Sequence, residues 1–158
     1  MKRILLIACC LFAVCTATEA QFSVVSPHSN VEAKIEIGSQ IVYSVYFNGK
    51  SVITNSSVRF EFRQAPPLGD DLIVLKSSSV EIKETWTPVL KRKATILNNC
   101  NELTLQLQEK IFPRRIMNLV FRAYDDGVAF RTEFVGPDNK HEYVMTEELT
   151  TFNFTADH

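Results

Sequence analysis

Glycine and proline are scarce in this 158-residue chain, at five and six residues, which excludes collagen-like, proline-rich and other low-complexity polypeptides. Charge of one sign is missing too. Seventeen basic residues face 18 acidic ones for a formal net charge of −1, and no segment is basic enough to neutralise a row of phosphates, so nucleic acid is not an expected partner. The three histidines, His28, His141 and His158, are widely separated. Without paired-cysteine or His-x-x-x-His spacing they offer no zinc site. Neither a Gly-x-Ser-x-Gly elbow nor a glycine-rich phosphate loop occurs, which removes the common serine-hydrolase and nucleotide-binding readings. What is plentiful is apolar surface: 46% of the residues are hydrophobic and eleven are phenylalanine, enough to build a folded core.

Long hydrophobic runs are confined to the N-terminus. Lys2 and Arg3 precede the apolar stretch Ile4 to Cys15, and small residues lead to Ala20. Twelve residues at about 1.5 Å each reach about 18 Å, short of a hydrocarbon core about 30 Å thick. The pattern predicts a signal peptide over residues 1–20, cleaved after Ala20, hence secretion and no membrane attachment of the mature chain. Cys15 follows Val14, and Cys9 comes after too short an apolar stretch, so a lipidated cysteine is not expected. Loss of the leader removes Lys2, Arg3 and Glu19, leaving 15 basic and 17 acidic residues and a net charge of −2. It also removes Cys9, Cys10 and Cys15. Cys100 then has no internal disulfide partner and is read as a half-buried core thiol rather than a nucleophile served by His141.

Beyond the leader, apolar and polar residues alternate with the two-residue period of half-buried strands. Ala33, Ile35 and Ile37 oppose Glu32, Lys34 and Glu36. Val58, Phe60 and Phe62 oppose Arg59, Glu61 and Arg63. Leu103, Leu105 and Leu107 oppose Glu102, Thr104, Gln106 and Gln108, and Val128, Phe130 and Phe134 oppose Arg131 and Glu133. Asn48-Gly49 predicts a type I′ hairpin, with Val45 opposite Val52, and Asp126-Gly127 a second hairpin. Pro66-Pro67-Leu68-Gly69 is a break whose prolines exclude a central strand. Glu142 to Leu149 is the best helical competitor, but its β-branched neighbours make it strand or loop. The expected fold is all-β, an antiparallel sandwich of eight to ten short strands over residues 21–158. Because Thr155-Ala156-Asp157-His158 follows a strand-like run directly, the domain is expected to be incomplete.

Few residues suggest chemistry. Asp70-Asp71, Asp125-Asp126 and Glu147-Glu148 invite a glycosidase reading, yet adjacent carboxylates point to opposite faces of a strand or cap turns. Trp86, in Glu84-Thr85-Trp86-Thr87-Pro88, is the single tryptophan; it either anchors a core or stacks on a sugar ring from a loop. For Tyr124-Asp125-Asp126-Gly127 the plain reading is a turn, with Arg122 and Arg131, on the flanking strands, pairing with acids.

Several segments, in order, carry a resemblance: Ser26-Pro27 leading into Ile41 to Lys50, Glu84 to Val89, Asn98-Asn99-Cys100-Asn101-Glu102-Leu103, Phe121-Arg122-Ala123-Tyr124-Asp125-Asp126-Gly127-Val128-Ala129-Phe130-Arg131, and Glu147 to Phe154. Together they resemble the N-terminal β-sandwich of glycoside hydrolase family 97, the secreted α-glucosidase and α-galactosidase group. The resemblance implies the front part of a mutarotase-like super-sandwich that packs against a catalytic (β/α)8 barrel. The family's catalytic carboxylates and calcium ligands lie beyond residue 158, so no catalytic or metal residue and no cofactor is assigned to this chain. Calcium and α-linked sugars are implied only for the full-length enzyme, as is a periplasmic setting. Trp86, Tyr124, Asp125 and Asp126 are the candidates for contact with carbohydrate or barrel. The competing expectation is a free-standing secreted binding or adhesion module.

Overall fold

The computed structural model describes residues 19–89, 95–136 and 143–156, so the leader up to Thr18, together with His141 and His158, lies outside the described residues. These hold eleven strands and no helix: β1 (Ala20–Val25), β2 (Val31–Ile37), β3 (Ile41–Phe47), β4 (Lys50–Ser57), β5 (Phe60–Phe62), β6 (Ala65–Leu68), β7 (Leu72–Trp86), β8 (Ile96–Glu109), β9 (Ile116–Tyr124), β10 (Gly127–Val135) and β11 (Met145–Glu148). Every pairing is antiparallel. The first sheet runs β1-β2-β3-β4, the second β10-β9-β8-β7, and a small third one β11-β5-β6.

Alternation places the core between the first two sheets. Val31, Ala33, Ile35 and Ile37 on β2 and Ile41, Tyr43 and Val45 on β3 are buried, and they meet Leu103, Leu105 and Leu107 on β8 and Met117, Leu119, Phe121 and Ala123 on β9. Each large aliphatic side chain removed from water contributes about 1.5–3 kcal/mol. Tyr43 binds the sheets together: its ring centroid lies 5.8 Å from Phe121 and 5.3 Å from Phe130. Its hydroxyl donates to the Thr151 carbonyl at 2.7 Å.

The strands are more numerous and longer than the expected eight to ten short ones. β7 has 15 residues and β8 has 14. Alternation does not reveal β7, because most of its residues on both faces remain exposed. Ala65–Leu68 is a strand rather than a break, and its prolines are accommodated at the edge of the third sheet. Asn48 and Gly49 take φ of 48° and 74°, as a type I′ turn requires. Val45, however, pairs with Ile53 and not Val52, because a bulge intervenes after Tyr46↔Ser51. A second irregularity places Asn55 at φ 48°, its N–H donating to Ser44 Oγ at 3.2 Å. The other hairpin turns on Asp125-Asp126, with Tyr124 already paired to Gly127 and no positive φ among the three. Gly69 adopts φ 133°, and a Cβ there would stand 2.6 Å from the Val58 carbonyl oxygen.

Edges are treated unequally. Residues 144–155 run along β5 and β4, with bonds from Arg63 N–H to the Val144 carbonyl at 2.8 Å, Thr54 N–H to Asn153 at 3.0 Å and Thr155 N–H to Val52 at 3.0 Å. The outer edge of β7 pairs with no described strand.

Candidate functional site

Residues directly opposed across antiparallel strands share a face. On the outer face of the second sheet, Glu102 lies between Val80 on β7 and Arg122 on β9, and Val120 lies between Thr104 and Arg131. The polar side chains form one connected lattice. Arg122 Nε donates to Glu102 Oε2 at 2.6 Å, Arg131 Nη1 to the same oxygen at 3.5 Å, and Arg131 Nε to Glu133 Oε1 at 2.8 Å. Asn118 continues it to Glu133 at 3.3 Å, and Gln106 to Asn118 at 3.4 Å. The bond from Arg131 holds the Glu133 carboxyl below the usual carboxylate range, and Glu102 raises the Arg122 guanidinium further. The pairing of Arg122 and Arg131 with acids thus follows the plain reading of this hairpin.

Tyr124 stands on this face at the end of β9. Burial first, then a hydrogen bond with the Cys100 thiol, push its hydroxyl up from its ordinary value. Cys100 is wholly buried rather than half-buried, at 0% exposure. Trp86 ends β7, paired with Ile96, so it is neither in a loop nor in the core; 54% of it is exposed. Because β9 ends beside Cys100 while β7 and β8 continue as a two-stranded ribbon, Trp86 is four residues beyond the Ile82–Cys100 pair, about 13 Å away along the strand. The structure therefore separates Trp86 from the Tyr124-Asp125-Asp126 group.

Asp125 is engaged internally. Its Oδ1 accepts the His28 N–H at 2.9 Å and its Oδ2 meets His28 Nδ1 at 2.7 Å. The side-chain bond to His28 is the main reason its carboxyl sits below the ordinary range. Since His28 lies in the β1–β2 turn, this contact ties the two sheets together at one end, beside the bond from Asn101 Nδ2 to the Val25 carbonyl at 2.7 Å. Asp126 is exposed at the turn.

Two further features had no clear sequence signal. At the opposite end of the second sheet, Arg115 and Glu109 form a buried ion pair, with Arg115 Nε 3.0 Å from Glu109 Oε2 and side-chain exposures of 6% and 7%. Arg115 Nη2 also donates to the Pro66 and Pro67 carbonyls at 2.7 and 3.0 Å. The guanidinium lies 4.8 Å from the Phe62 ring and 5.4 Å from that of Tyr143. Along the open flank between β4 and β10, Tyr43, Phe130 and Phe152 line a groove of 540 Å3, in which Phe152 is 54% exposed. Among the described residues no three His, Cys, Asp or Glu side chains converge to hold a metal ion.

The family model for the glycosyl-hydrolase 97 N-terminal domain matches residues 24–158. A retaining alpha-galactosidase of Bacteroides thetaiotaomicron is 28% identical over an alignment 158 residues long that covers 99% of this chain and 22% of that protein. Among solved structures, a glycoside hydrolase family 97 enzyme from a Pseudoalteromonas species in complex with panose superposes with a TM-score of 0.78 at 28% identity, over 85% of this chain and 20% of that one. A beta-arabinopyranosidase, 22% identical with a TM-score of 0.75 over 84% of this chain and 21% of its own, shares the fold. The chain spans about a fifth of the length of these relatives. A continuous match from β1 to the last described strand, on a sandwich of this topology, places it: the chain belongs to the glycosyl-hydrolase 97 N-terminal family.

Proposed function

We propose that this chain is the non-catalytic front domain of a longer secreted α-glycosidase, bracing a catalytic (β/α)8 barrel and helping to frame an α-linked sugar at its entrance. The observation that carries the reading is one of proportion: 99% of this chain aligns with a retaining alpha-galactosidase of which it covers 22%. A barrel site is assembled from loops at the ends of eight parallel strands, and every described strand pair here is antiparallel. The open groove at Tyr43, Phe130 and Phe152 supports it as well, since an apolar flank of this kind gains by being covered. Export rests on the N-terminal leader, and a periplasmic setting and calcium in the complete enzyme rest on the family.

The test compares the purified chain with the polypeptide extended through the reading frame downstream of His158. Chromogenic α-galactosides and α-glucosides are assayed with calcium and after chelation. Turnover by the extended polypeptide, loss of that turnover on chelation, and none from the chain alone is the expected outcome. Turnover by the chain alone would overturn the non-catalytic assignment. A reading frame that stops after His158, with panose bound by the chain itself, would favour a free-standing binding module.

A further inference from the structure

This inference rests on the scaffold reading above and concerns which surface does the bracing. The β8–β9 turn carries large apolar side chains into solvent: Ile111 is 69% and Phe112 87% exposed. It is nevertheless firmly held. Arg114 N–H donates to the Ile111 carbonyl at 2.9 Å, Lys110 N–H to the Asp71 carbonyl at 3.1 Å and Glu109 N–H to the Arg115 carbonyl at 3.2 Å. Directly beneath, the buried Glu109–Arg115 pair clamps the two strand ends, and Arg115 carries the clamp to β6 through the Pro66 and Pro67 carbonyls. Burying two charges costs several kcal/mol per ion in lost hydration, recovered only with good geometry and further hydrogen bonds. What this clamp confers is shape: a turn of fixed form showing an aromatic side chain to solvent.

Such a turn has the properties of a docking anchor. An aromatic side chain already held in place loses little freedom on association, and binding energy concentrates on anchors of that kind. Phe134, Val135 and Met145, at 47%, 38% and 40% exposure, add apolar surface at the same end, around a cavity of 270 Å3 next to Arg115. Lys110 and Arg114 flank the tip, both exposed, and neither forms an ion pair among the described residues. The geometry points to the Ile111–Phe112 tip as the anchor by which this domain docks on the remaining part of the longer polypeptide, in an apolar socket rimmed by carboxylates that meet Lys110 and Arg114. The occupant is set by proportion and charge: 78% of the matched relative's length lies outside the aligned region, and the tip's own charges are both positive.

The experiment places a thiol at the tip. Phe112→Cys is made in this chain and in the downstream-extended polypeptide, both without the leader, and maleimide labelling is followed peptide by peptide by mass spectrometry. Cys100, wholly buried, serves as the unreactive reference, and Lys50→Cys at the β3–β4 hairpin as the exposed one. Labelling at position 112 is expected to be fast in this chain and slower by at least about tenfold in the extended polypeptide, the factor that about 1.4 kcal/mol of protection gives, with position 50 unchanged. Equal rates at position 112 in both, or equal slowing at both positions, overturns the assignment of the tip. So does Phe112-dependent binding of this chain to phosphatidylglycerol vesicles, or Phe112-dependent dimerisation, because each names another occupant. Glycosidase activity of the extended polypeptide is read separately: its absence defeats the scaffold reading, whereas an unprotected tip in an active enzyme defeats only the anchor.

Discussion

The two turns that flank β9 solve opposite problems. At the β9–β10 turn, Asp125 and the neighbouring Asn101 bind the β1–β2 region through His28 and the Val25 carbonyl, so its polar groups are used inside the domain. At the β8–β9 turn, a buried ion pair is spent on holding Ile111 and Phe112 out in water. One end of the sheet closes the sandwich on itself, and the other displays large apolar side chains to solvent. Hydrogen bonding at a turn therefore does not by itself indicate function; what the bonded frame displays does.

Breaking the clamp gives the largest contrast. Arg115→Met leaves Glu109 buried without its partner and is expected to destabilise the chain by about 3–5 kcal/mol in urea titration, with the double variant Glu109→Leu/Arg115→Met recovering most of it. A double variant as weak as the single would show that the clamp supports packing and not merely its own charges. At the closing end, Asn101→Ala removes one hydrogen bond to a backbone carbonyl and should cost about 1 kcal/mol by the same titration. Asp125→Asn has a smaller effect that depends on pH. His28 lowers the folded-state value of this carboxyl, so its contribution is present above the unfolded value of about 3.9 and is lost as pH falls through the lower folded value. The difference in Tm between wild type and Asp125→Asn should therefore shrink as pH is lowered from about 5 through the carboxyl's range. Phe112→Ser stands last, with no measurable change in the Tm of this chain, since the ring touches mostly solvent. A clear loss would mean the tip serves the domain itself and would erase the contrast between the two ends.

How much of this was legible depended on whether one face of a strand is buried. β2 and β8 alternate because each has one face on the core, and Leu103, Leu105 and Leu107 could be assigned inward from parity alone. The Asn48-Gly49 turn was legible from its φ requirement, but the bulges after it were not, since they follow from pairing along the whole of β4. β7 escaped notice because a strand exposed on both faces has no period. The same logic governs the sites. Arg122 finds Glu102 on the adjacent strand, and Arg131 finds Glu133 on its own strand and Glu102 two strands away, all on the polar face that their alternation marks. The Glu109–Arg115 clamp joins residues across a turn, where neither period applies. Its one trace in the sequence was the consecutive Ile111-Phe112 ahead of Pro113, two large apolar residues where a turn ordinarily carries polar ones.

The long outer margin of β7 has a consequence of its own. Among the described residues, 15 residues of strand edge without a partner strand are a template on which a second molecule could add a strand, and stacking of that kind is how fibrils begin. Here the margin is written in Lys76, Ser77, Ser78, Ser79, Glu81, Lys83 and Glu84, residues that make a dry, interlocked seam expensive. The same strand also leaves Ile73, Leu75, Val80 and Trp86 exposed, so its charges and serines interrupt an apolar margin rather than replace it.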